Sequence, residues 1–314
     1  MAANVETMFY VRETPWHGLG TKVDEALSSA EALKKAGLDW AVIPKPLFTE
    51  DGMEAEGFVA NVRSSDNKVL GVVSDRYRIC QNTEAFDFTD ALIGEGVKYE
   101  TAGSLANGKK VWMLAKMPGS HKILGDDFDP YLVFSNCHDG TGAIRVAVTP
   151  IRVVCQNTLN VALKTAKRAW STCHKGNLES KMEEAYMTLT MAKTYMERLA
   201  EEAETLAQFQ LSRGMIEEIL EAMFPVSEEK TDRVKNNKEQ AKSEILTLLD
   251  AHDIQKFGKN NAWSFMNAVS DWAGHRTPLR KTATYNEMNF AKTIEGHPVL
   301  DQAKILVDSF MKVA

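Results

Sequence analysis

The residues of this sequence best suited to chemistry are cations that could hold an anion. In the segment 149–159, TPIRVVCQNTL, a strand is predicted to end and a helix to begin at Asn157, which places Arg152 near the first helical N–H groups. Free N–H groups beside a guanidinium are a common anion-binding arrangement. Downstream, cations recur at helical spacing and end in an aromatic residue: Lys164, Lys167, Arg168 and Trp170. Such a strip suits a nucleic-acid backbone and a stacked base, and a solvated helix face would carry the same lysines.

Two further groups of cations flank predicted turns. Arg76, Tyr77 and Arg78 stand between a predicted strand and a predicted helix, where two guanidiniums could clamp phosphates while the ring stacks on a base. Lys109 and Lys110 follow a predicted hairpin turn. Each group has an ordinary alternative: Tyr77 as a core residue whose neighbouring arginines pair with local acids, and the two lysines as solubilising residues at a turn.

No set of residues predicts catalysis or a metal site. Cys137-His138 and Cys173-His174 are adjacent pairs, whose members usually cannot both bind one zinc ion, and the sequence has no Cys-x-x-Cys. The residues that would suit a hard cation in a nuclease are Asp126, Asp127, Asp129, His138 and Asp139. No spacing ties these carboxylates together, and a polar loop also explains them. We therefore predict no catalytic residue, no metal and no cofactor.

Composition limits the class of protein. The chain has 314 residues, 44% hydrophobic and 25% charged, with a net charge of −6, which is typical of a globular protein and unlike a general nucleic-acid coat. No apolar run approaches the roughly 18 residues that span a bilayer, and residues 1–18 do not resemble a secretion signal. Four cysteines in this length favour free thiols in a reducing cytoplasm. We expect a cytoplasmic protein with no membrane partner.

The charge is distributed unevenly along the chain. Residues 1–100 have a balance of −7 and residues 177–314 a balance of −5, whereas residues 101–176 carry ten basic and four acidic residues. This middle segment, at +6, includes most of the cations singled out above. An anionic partner would therefore be expected to bind there.

The elements that must position these cations are mainly strands in the first half. Asn107-Gly108 predicts a type I′ hairpin between strands at 99–105 and 109–117, because both central residues tolerate positive φ. A second pair is predicted at 131–137 and 143–148. Further expected elements are strands at 40–48, 57–63 and 68–74, a helix at 30–36, and a helix that Asn82 or Thr83 caps and Gly94 ends.

The second half is predicted to be helical. Apolar residues step by four and three from Leu178 to Leu206, a heptad pattern that predicts one helix about 45 Å long, packed on a helix at 213–223 or on a second subunit. A polar connection is expected at 227–240, a helix at 241–251, and apolar blocks at 263–274 and 298–313. The predicted fold is α+β, with a domain at 1–176 built on an antiparallel β-meander with crossing helices and a helical domain at 177–314.

Several motifs together resemble the phage/plasmid-like protein family, whose shared domain has no known function. They are Trp16-His17-Gly18-Leu19-Gly20, Arg76-Tyr77 before Asn82, Gly103-Ser104 with Gly108 and Val111-Trp112, the segment 152–159, and Trp263 to Trp272 followed by His275-Arg276. The resemblance runs nearly end to end and implies an origin in a mobile element. No activity is transferred by it.

A β-meander crossed by a helix beside a basic strip is similar to the core of Rad-type single-strand annealing proteins. We therefore predict binding or annealing of single-stranded DNA by a homo-oligomer, through the ten residues Arg76, Tyr77, Arg78, Lys109, Lys110, Arg152, Lys164, Lys167, Arg168 and Trp170. The alternative is a factor that binds a host or phage protein, for example to inhibit defence, through the heptad helix or the acidic N-terminal face. A metal-dependent nuclease is the third hypothesis.

Overall fold

A computed structural model of the protein describes residues 5–11, 20–94, 97–152, 157–158, 169–189, 192–226, 231–275 and 297–313. The strands are, in chain order, β1 (Val5–Val11), β2 (Thr21–Val23), β3 (Val42–Phe48), β4 (Glu54–Arg63), β5 (Val69–Ser74), β6 (Lys98–Leu105), β7 (Lys110–Lys116), β8 (His121–Ile123), β9 (Asp126–Cys137), β10 (Ile144–Arg152), β11 (Asn157–Thr158) and β12 (Ala169–Thr172). The helices are α1 (Ser29–Lys35), α2 (Asn82–Ile93), α3 (Leu178–Leu189), α4 (Ala192–Gln208), α5 (Arg213–Met223), α6 (Asp232–Leu249), α7 (His252–Gln255), α8 (Ala262–His275) and α9 (Pro298–Val313). The α+β class is confirmed. None of the helices in these ranges has the length and hydropathy needed to cross a membrane.

The strands form one large and one small sheet. The large sheet has the order β11-β10-β9-β7-β6-β1-β2, with β12 also paired to β10 and β8 to β9. Its pairs are antiparallel except β1 with β2. The small sheet is an antiparallel β3-β4-β5 meander. The predicted β-meander is therefore present, and the three early strands form a sheet of their own.

The two predicted strand pairs are confirmed. At the β6–β7 turn, Asn107 and Gly108 have φ of 60° and 83°, as a type I′ turn requires, and Ala106 is also left-handed at 52°. The β9–β10 pair is longer than predicted. Its paired residues run from Arg145 with Ser135 to Arg152 with Phe128. The dipeptide Asn-Gly was enough to identify the turn, because the turn requires positive φ at its two central positions and these two residues tolerate it.

The prediction that Asn82 or Thr83 caps helix α2 was wrong, because the N-cap is Gln81. Gln81 is the extended capping residue, and Glu84 accepts a hydrogen bond from its N–H at 2.8 Å. Asn82 cannot serve as the cap because its side chain points inward and donates to the carbonyls of Leu38 and Trp40. The helix ends before Gly94, as predicted.

Helices cover one face of the large sheet. The ring of Phe86 on α2 packs against Tyr99, and Phe88 packs against Phe134, while Trp263 on α8 packs against Phe128. The strand register places these three sheet residues on the same face. The opposite face carries a separate cluster of buried residues: Met8, Tyr10, Leu105, Trp112 and Val133.

The heptad seam is buried within the chain. Its α4 residues Met196, Leu199, Ala203 and Leu206 are almost completely inaccessible. The main partners of α4 are α8 and β8 rather than the following helix α5. The predicted continuity of the seam from α3 to α4 falls on residues 190–191, outside the described residues.

The polar segment predicted as a connection at 227–240 is largely helical. Helix α6 begins at Asp232, after the N-cap Thr231, and so starts nine residues before the predicted position. The polar composition of this segment had indicated a connection. The prediction was wrong because Lys, Glu and Gln are good helix formers, so a mainly polar segment can be helical. Lys242 on α6 forms ion pairs with Glu221 and Glu239.

The two predicted domains share one hydrophobic core in the described residues. The Phe128 and Trp263 rings lie 6.5 Å apart across their boundary, and Asp126 forms an ion pair with Lys256. The core cluster includes residues of both segments. The division at residue 176 stays a prediction.

We predict that the close approach of β5 to the loop after β9 depends on Gly71. A Cβ at this position would lie 2.5 Å from Cα of Asp139, so Gly71→Ala is expected to reduce the free energy of unfolding by about 2 kcal/mol. The control is Gly214→Ala in α5, whose Cβ would meet only Ser212 Oγ at 3.9 Å. Urea denaturation measures both. Equal midpoints for the Gly71→Ala variant and the wild type would contradict the prediction.

Candidate nucleic-acid interface

The C-terminal end of β9 brings two of the predicted cationic groups together. The Tyr77 hydroxyl donates to the carbonyl of Cys137, and the His138 N–H donates to the carbonyl of Lys109 at 2.7 Å. Lys110 is the strand partner of Cys137. The segment 76–78 and the hairpin tip at 109–110, which lie far apart in the sequence, are therefore both anchored at one end of the sheet.

The segment 76–78 is held by its backbone and by Tyr77. The Tyr77 ring stacks on His174, with centroids 4.4 Å apart and planes at 14°. Arg78 exchanges two hydrogen bonds with His174: its N–H donates to the His174 carbonyl, and its carbonyl accepts from His174 Nδ1. The side chains of Arg76 and Arg78 are exposed. The segment is thus anchored while both guanidiniums face solvent.

This geometry gives Tyr77 a structural role. One face of its ring is covered by His174 and its hydroxyl is hydrogen-bonded. Burial is the main cause that raises the pKa of the phenol, so the group stays protonated and continues to donate. Stacking of a base on its other face stays a prediction.

A buried polar cluster lies directly behind this end of β9. His138 is fully buried, and its Nε2 lies 3.1 Å from Asn82 Oδ1. Asn61 on β4 donates to the His138 carbonyl at 2.7 Å, and Asn136 donates to the carbonyl of Cys80 at 2.9 Å. These bonds join β4, β9 and the start of α2. The cluster therefore fixes the small sheet against the large one.

The cluster is rich in acceptors. Because the Asn82 amide group already donates to two carbonyls, the proton of His138 lies on Nε2, and because His174 Nδ1 faces a carbonyl, its proton lies there. In and beside this cluster, four buried acceptor atoms have no hydrogen-bond partner among the described residues: Asn61 Oδ1, Asn136 Oδ1, His138 Nδ1 and His174 Nε2. Buried acceptors of this kind are usually satisfied by water.

The cluster is suited to positioning rather than to acid–base chemistry at neutral pH. Burial lowers the pKa of His138 to about 3, and it also lowers the pKa of His174. Burial raises the pKa of the Cys80 thiol to about 12. At pH 7 the imidazole of His138 is a neutral, weak base and the thiol is protonated, so neither acts as an efficient base or nucleophile.

The hairpin tip rests on a second anchored side chain. Arg63 binds Glu6 through two N–H groups at 2.7 and 2.8 Å and also pairs with Asp66 at 2.6 Å. The Arg63 guanidinium holds the pKa of Asp66 at about 2. A Cβ on Gly108 would lie 2.7 Å from Arg63 Nη1, so the tip that carries Lys109 packs closely on this guanidinium.

Other predicted residues lie elsewhere. Arg152 is paired with Phe128 at the far end of β10. Because a strand rises about 3.4 Å per residue, Arg152 lies about 24 Å along β10 from Arg145. Trp170 is half-buried opposite Val146 and packs against the core on the helix-covered face, so it contributes to the fold. The prediction that a helix begins at Asn157 was wrong: Asn157–Thr158 is strand β11, paired with β10, so a helix N-terminus does not begin beside Arg152. The side chain of Arg152 lies outside the described residues, as do Lys164, Lys167 and Arg168.

The structure also identifies a cation that the sequence analysis did not select. Arg145 pairs with Ser135, which places it on the same sheet face as Lys110. Arg145 is part of the +6 segment. Successive side chains of β10 point to opposite faces of the sheet, and this alternation could have placed Arg145 on the face away from the helices.

Three of the four acidic residues considered for a nuclease have structural partners. Asp129 pairs with Lys116 at 2.5 Å, and Asp126 pairs with Lys256. Asp139 accepts two hydrogen bonds from Thr141 in the loop after β9. In the ranges that the structure describes, no three His, Cys, Asp or Glu residues converge as metal ligands would.

The profile of a domain of unknown function, DUF932, matches residues 69–294. The chain belongs to this family. The matched segment begins with β5 and includes the segment 76–78, the hairpin tip, and His138 with its partner Asn82. No curated protein and no solved structure matches the chain.

We predict that His138 makes the stability of the protein depend on pH. Its pKa of about 3 in the fold is below its ordinary value of 6.5, so the unfolded chain takes up a proton first as the pH falls. The contribution of neutral, buried His138 to the free energy of unfolding is complete above pH 6.5. It is lost as the pH falls towards 3, at a rate of at most about 1.4 kcal/mol per pH unit. When urea unfolding is measured from pH 7.5 to 4.5, the free energy of unfolding should depend less steeply on pH in His138→Gln than in the wild type. Exposed His252→Gln is the control, and an unchanged slope in His138→Gln would contradict the prediction.

Proposed function

We propose that this protein binds single-stranded DNA and promotes its annealing during replication or recombination of a phage or plasmid. The observation that carries the proposal is the end of β9, where Cys137 and His138 anchor both the segment with the exposed Arg76 and Arg78 and the hairpin tip with Lys109 and Lys110. The resemblance to the phage/plasmid-like family supports the mobile-element setting.

Electrostatics and rigidity favour a phosphate chain as the ligand. Arginine binds phosphate through a planar set of donors, and a guanidinium whose backbone is already fixed loses less entropy when it binds. The strands β7 to β12 belong to the segment with a balance of +6, in a chain that is otherwise acidic. In this proposal Arg152, Lys164, Lys167 and Arg168 extend the phosphate contacts, and Arg145 adds one beside Lys110.

The free thiols agree with a host cytoplasm as the place of action. Cys80, Cys137 and Cys173 form no disulfide, while Cys155 lies outside the described residues. Single-strand binding there needs no metal or cofactor, because affinity comes from phosphate contacts and counterion release.

Fluorescence anisotropy tests the proposal directly. A labelled single strand of about 40 nucleotides and its duplex are titrated with protein at about 50 and about 200 mM salt. We expect tight binding that prefers the single strand and weakens with salt. Arg76→Glu with Arg78→Glu should weaken binding by at least about tenfold and reduce the salt slope by about 1.4, for two phosphates at about 0.7 each.

The matched control for this test reverses two exposed cations elsewhere. Arg233→Glu on α6 with Lys312→Glu on α9 changes the net charge by the same amount, away from the end of β9. The control should bind like the wild type. No binding at the lower salt, or equal weakening in both double variants, would overturn the proposal. Strand-pairing assays with complementary oligonucleotides then test annealing.

One exposed surface bears both on the homo-oligomer and on the alternative, a factor that binds a host or phage protein. The outer face of the small sheet is apolar and exposed: Ile43 44%, Phe58 55%, Val69 53% and Val72 56%. Monomeric soluble proteins rarely leave such a face open to water. Pro44, Pro46 and Lys45 on β3 protect the sheet edge from strand pairing, so contact is favoured through the face.

We assign this face to contact between copies of the chain, because an annealing protein acts as an oligomer. Light scattering after size exclusion should show an oligomer that Phe58→Ser with Val72→Ser converts to a monomer. Ile305→Ser with Val234→Ser, which removes exposed apolar residues from two helices, should leave the oligomer intact. A wild-type monomer at about 50 µM would contradict the assignment and favour a host or phage partner instead.

A further inference from the structure

A groove lies between α2 and α3, next to the anchored segment 76–78. Its volume is about 860 Å³, the size of an ordinary binding site. The floor is apolar, with Phe88, Leu92 and Met182 as its main side chains. The Phe88 ring packs on Phe134, 6.0 Å away, so the floor is fixed by the core beneath it. Tyr186 on the α3 side is 46% exposed.

Carboxylates line the rim of this groove. Glu84 and Asp87 project from the first turns of α2, and Glu183 projects from α3. Glu84 accepts the Gln81 N–H in the helix cap, while Asp87 and Glu183 have no ion-pair partner among the residues that the structure describes. Arg78 is the cation at one end. The groove therefore combines an apolar floor with excess negative charge.

We propose that this groove binds a cationic amphipathic helix of a partner protein. Apolar residues at positions i, i+3 or i+4, and i+7 of that helix would cover Phe88, Leu92 and Tyr186. Lysine or arginine residues beside this stripe would pair with Asp87 and Glu183. Helix-in-groove recognition needs an apolar stripe and flanking charges of opposite sign, and both are present here.

The dimensions of the groove fit such a ligand. The lining residues of α2 run from Glu84 to Leu92, and the helix of 12 residues is about 18 Å long. A partner segment of about three turns can therefore lie along it. A nucleic acid is disfavoured, because three rim carboxylates would repel its phosphates. This site is distinct from the proposed DNA contacts, although Arg78 borders both.

The test uses a synthetic, fluorescein-labelled amphipathic peptide of about 14 residues, with leucines on one helical face and lysines on the other. A peptide of the same composition in scrambled order, without amphipathic spacing, is the matched probe. Anisotropy titrations use the full-length protein at about 150 mM salt. We expect the amphipathic peptide to bind at least about tenfold more tightly than the scrambled one.

Variants then locate the binding. Asp87→Lys with Glu183→Lys should weaken binding of the amphipathic peptide by at least about tenfold, and Tyr186→Ser should weaken it several-fold without any change in charge. Glu204→Lys with Glu218→Lys, at exposed positions of α4 and α5, is the control with the same net charge change. Circular dichroism melts establish that each variant is folded.

The outcomes separate this inference from the proposed function. Arg76→Glu with Arg78→Glu should leave peptide binding unchanged or stronger, and Asp87→Lys with Glu183→Lys should leave DNA binding unchanged or stronger. The inference is overturned if the scrambled peptide binds equally well, if the control weakens binding as much as the groove variants, or if the amphipathic peptide does not bind at about 100 µM. None of these results bears on single-strand binding.

Discussion

The hydrogen bonds at the end of β9 are the interaction on which this side of the molecule depends. The Cys137 carbonyl accepts from Tyr77, and the His138 N–H donates to Lys109, while Asn61 and Asn82 hold His138 from the small sheet and from α2. Breaking one contact would leave buried polar groups without partners, which costs more than the net value of the bond. The three segments are therefore held as a unit. The cations above them project from a fixed base.

Charge divides the surface beside this unit. The anchored segment carries the exposed Arg76 and Arg78, whereas the carboxylates of Asp87 and Glu183 line the adjoining groove, which Arg78 also borders. A phosphate chain and a basic helix would thus be drawn to neighbouring but different surfaces. Arg78 borders both, so occupation of one surface changes the electrostatic potential at the other, and salt screens this effect beyond about 10 Å.

The same arrangement explains why the cluster behind β9 is neutral. His138 is fully buried, so burial favours its uncharged form, and its side-chain hydrogen-bond partner is an amide rather than a carboxylate. A neutral anchor leaves the net charge of the surface to the exposed arginines and lysines. The anchoring side chains and the proposed ligand contacts are thus different residues, although they belong to adjacent positions of the chain.

Features with a local cause were determined by the sequence. Asn107-Gly108 specified its turn through backbone conformation, Gly94 ended α2, and the heptad spacing in α4 marked a buried stripe, because each depends on residues close together in the chain. Only the tertiary structure decided that α4 packs on α8, that Gln81 caps α2 because Asn82 is used elsewhere, and that Arg152 lies far from Lys110. It also created the groove between α2 and α3. These outcomes depend on which distant segments meet, and neither hydrophobic periodicity nor charge counting along a single chain contains that information.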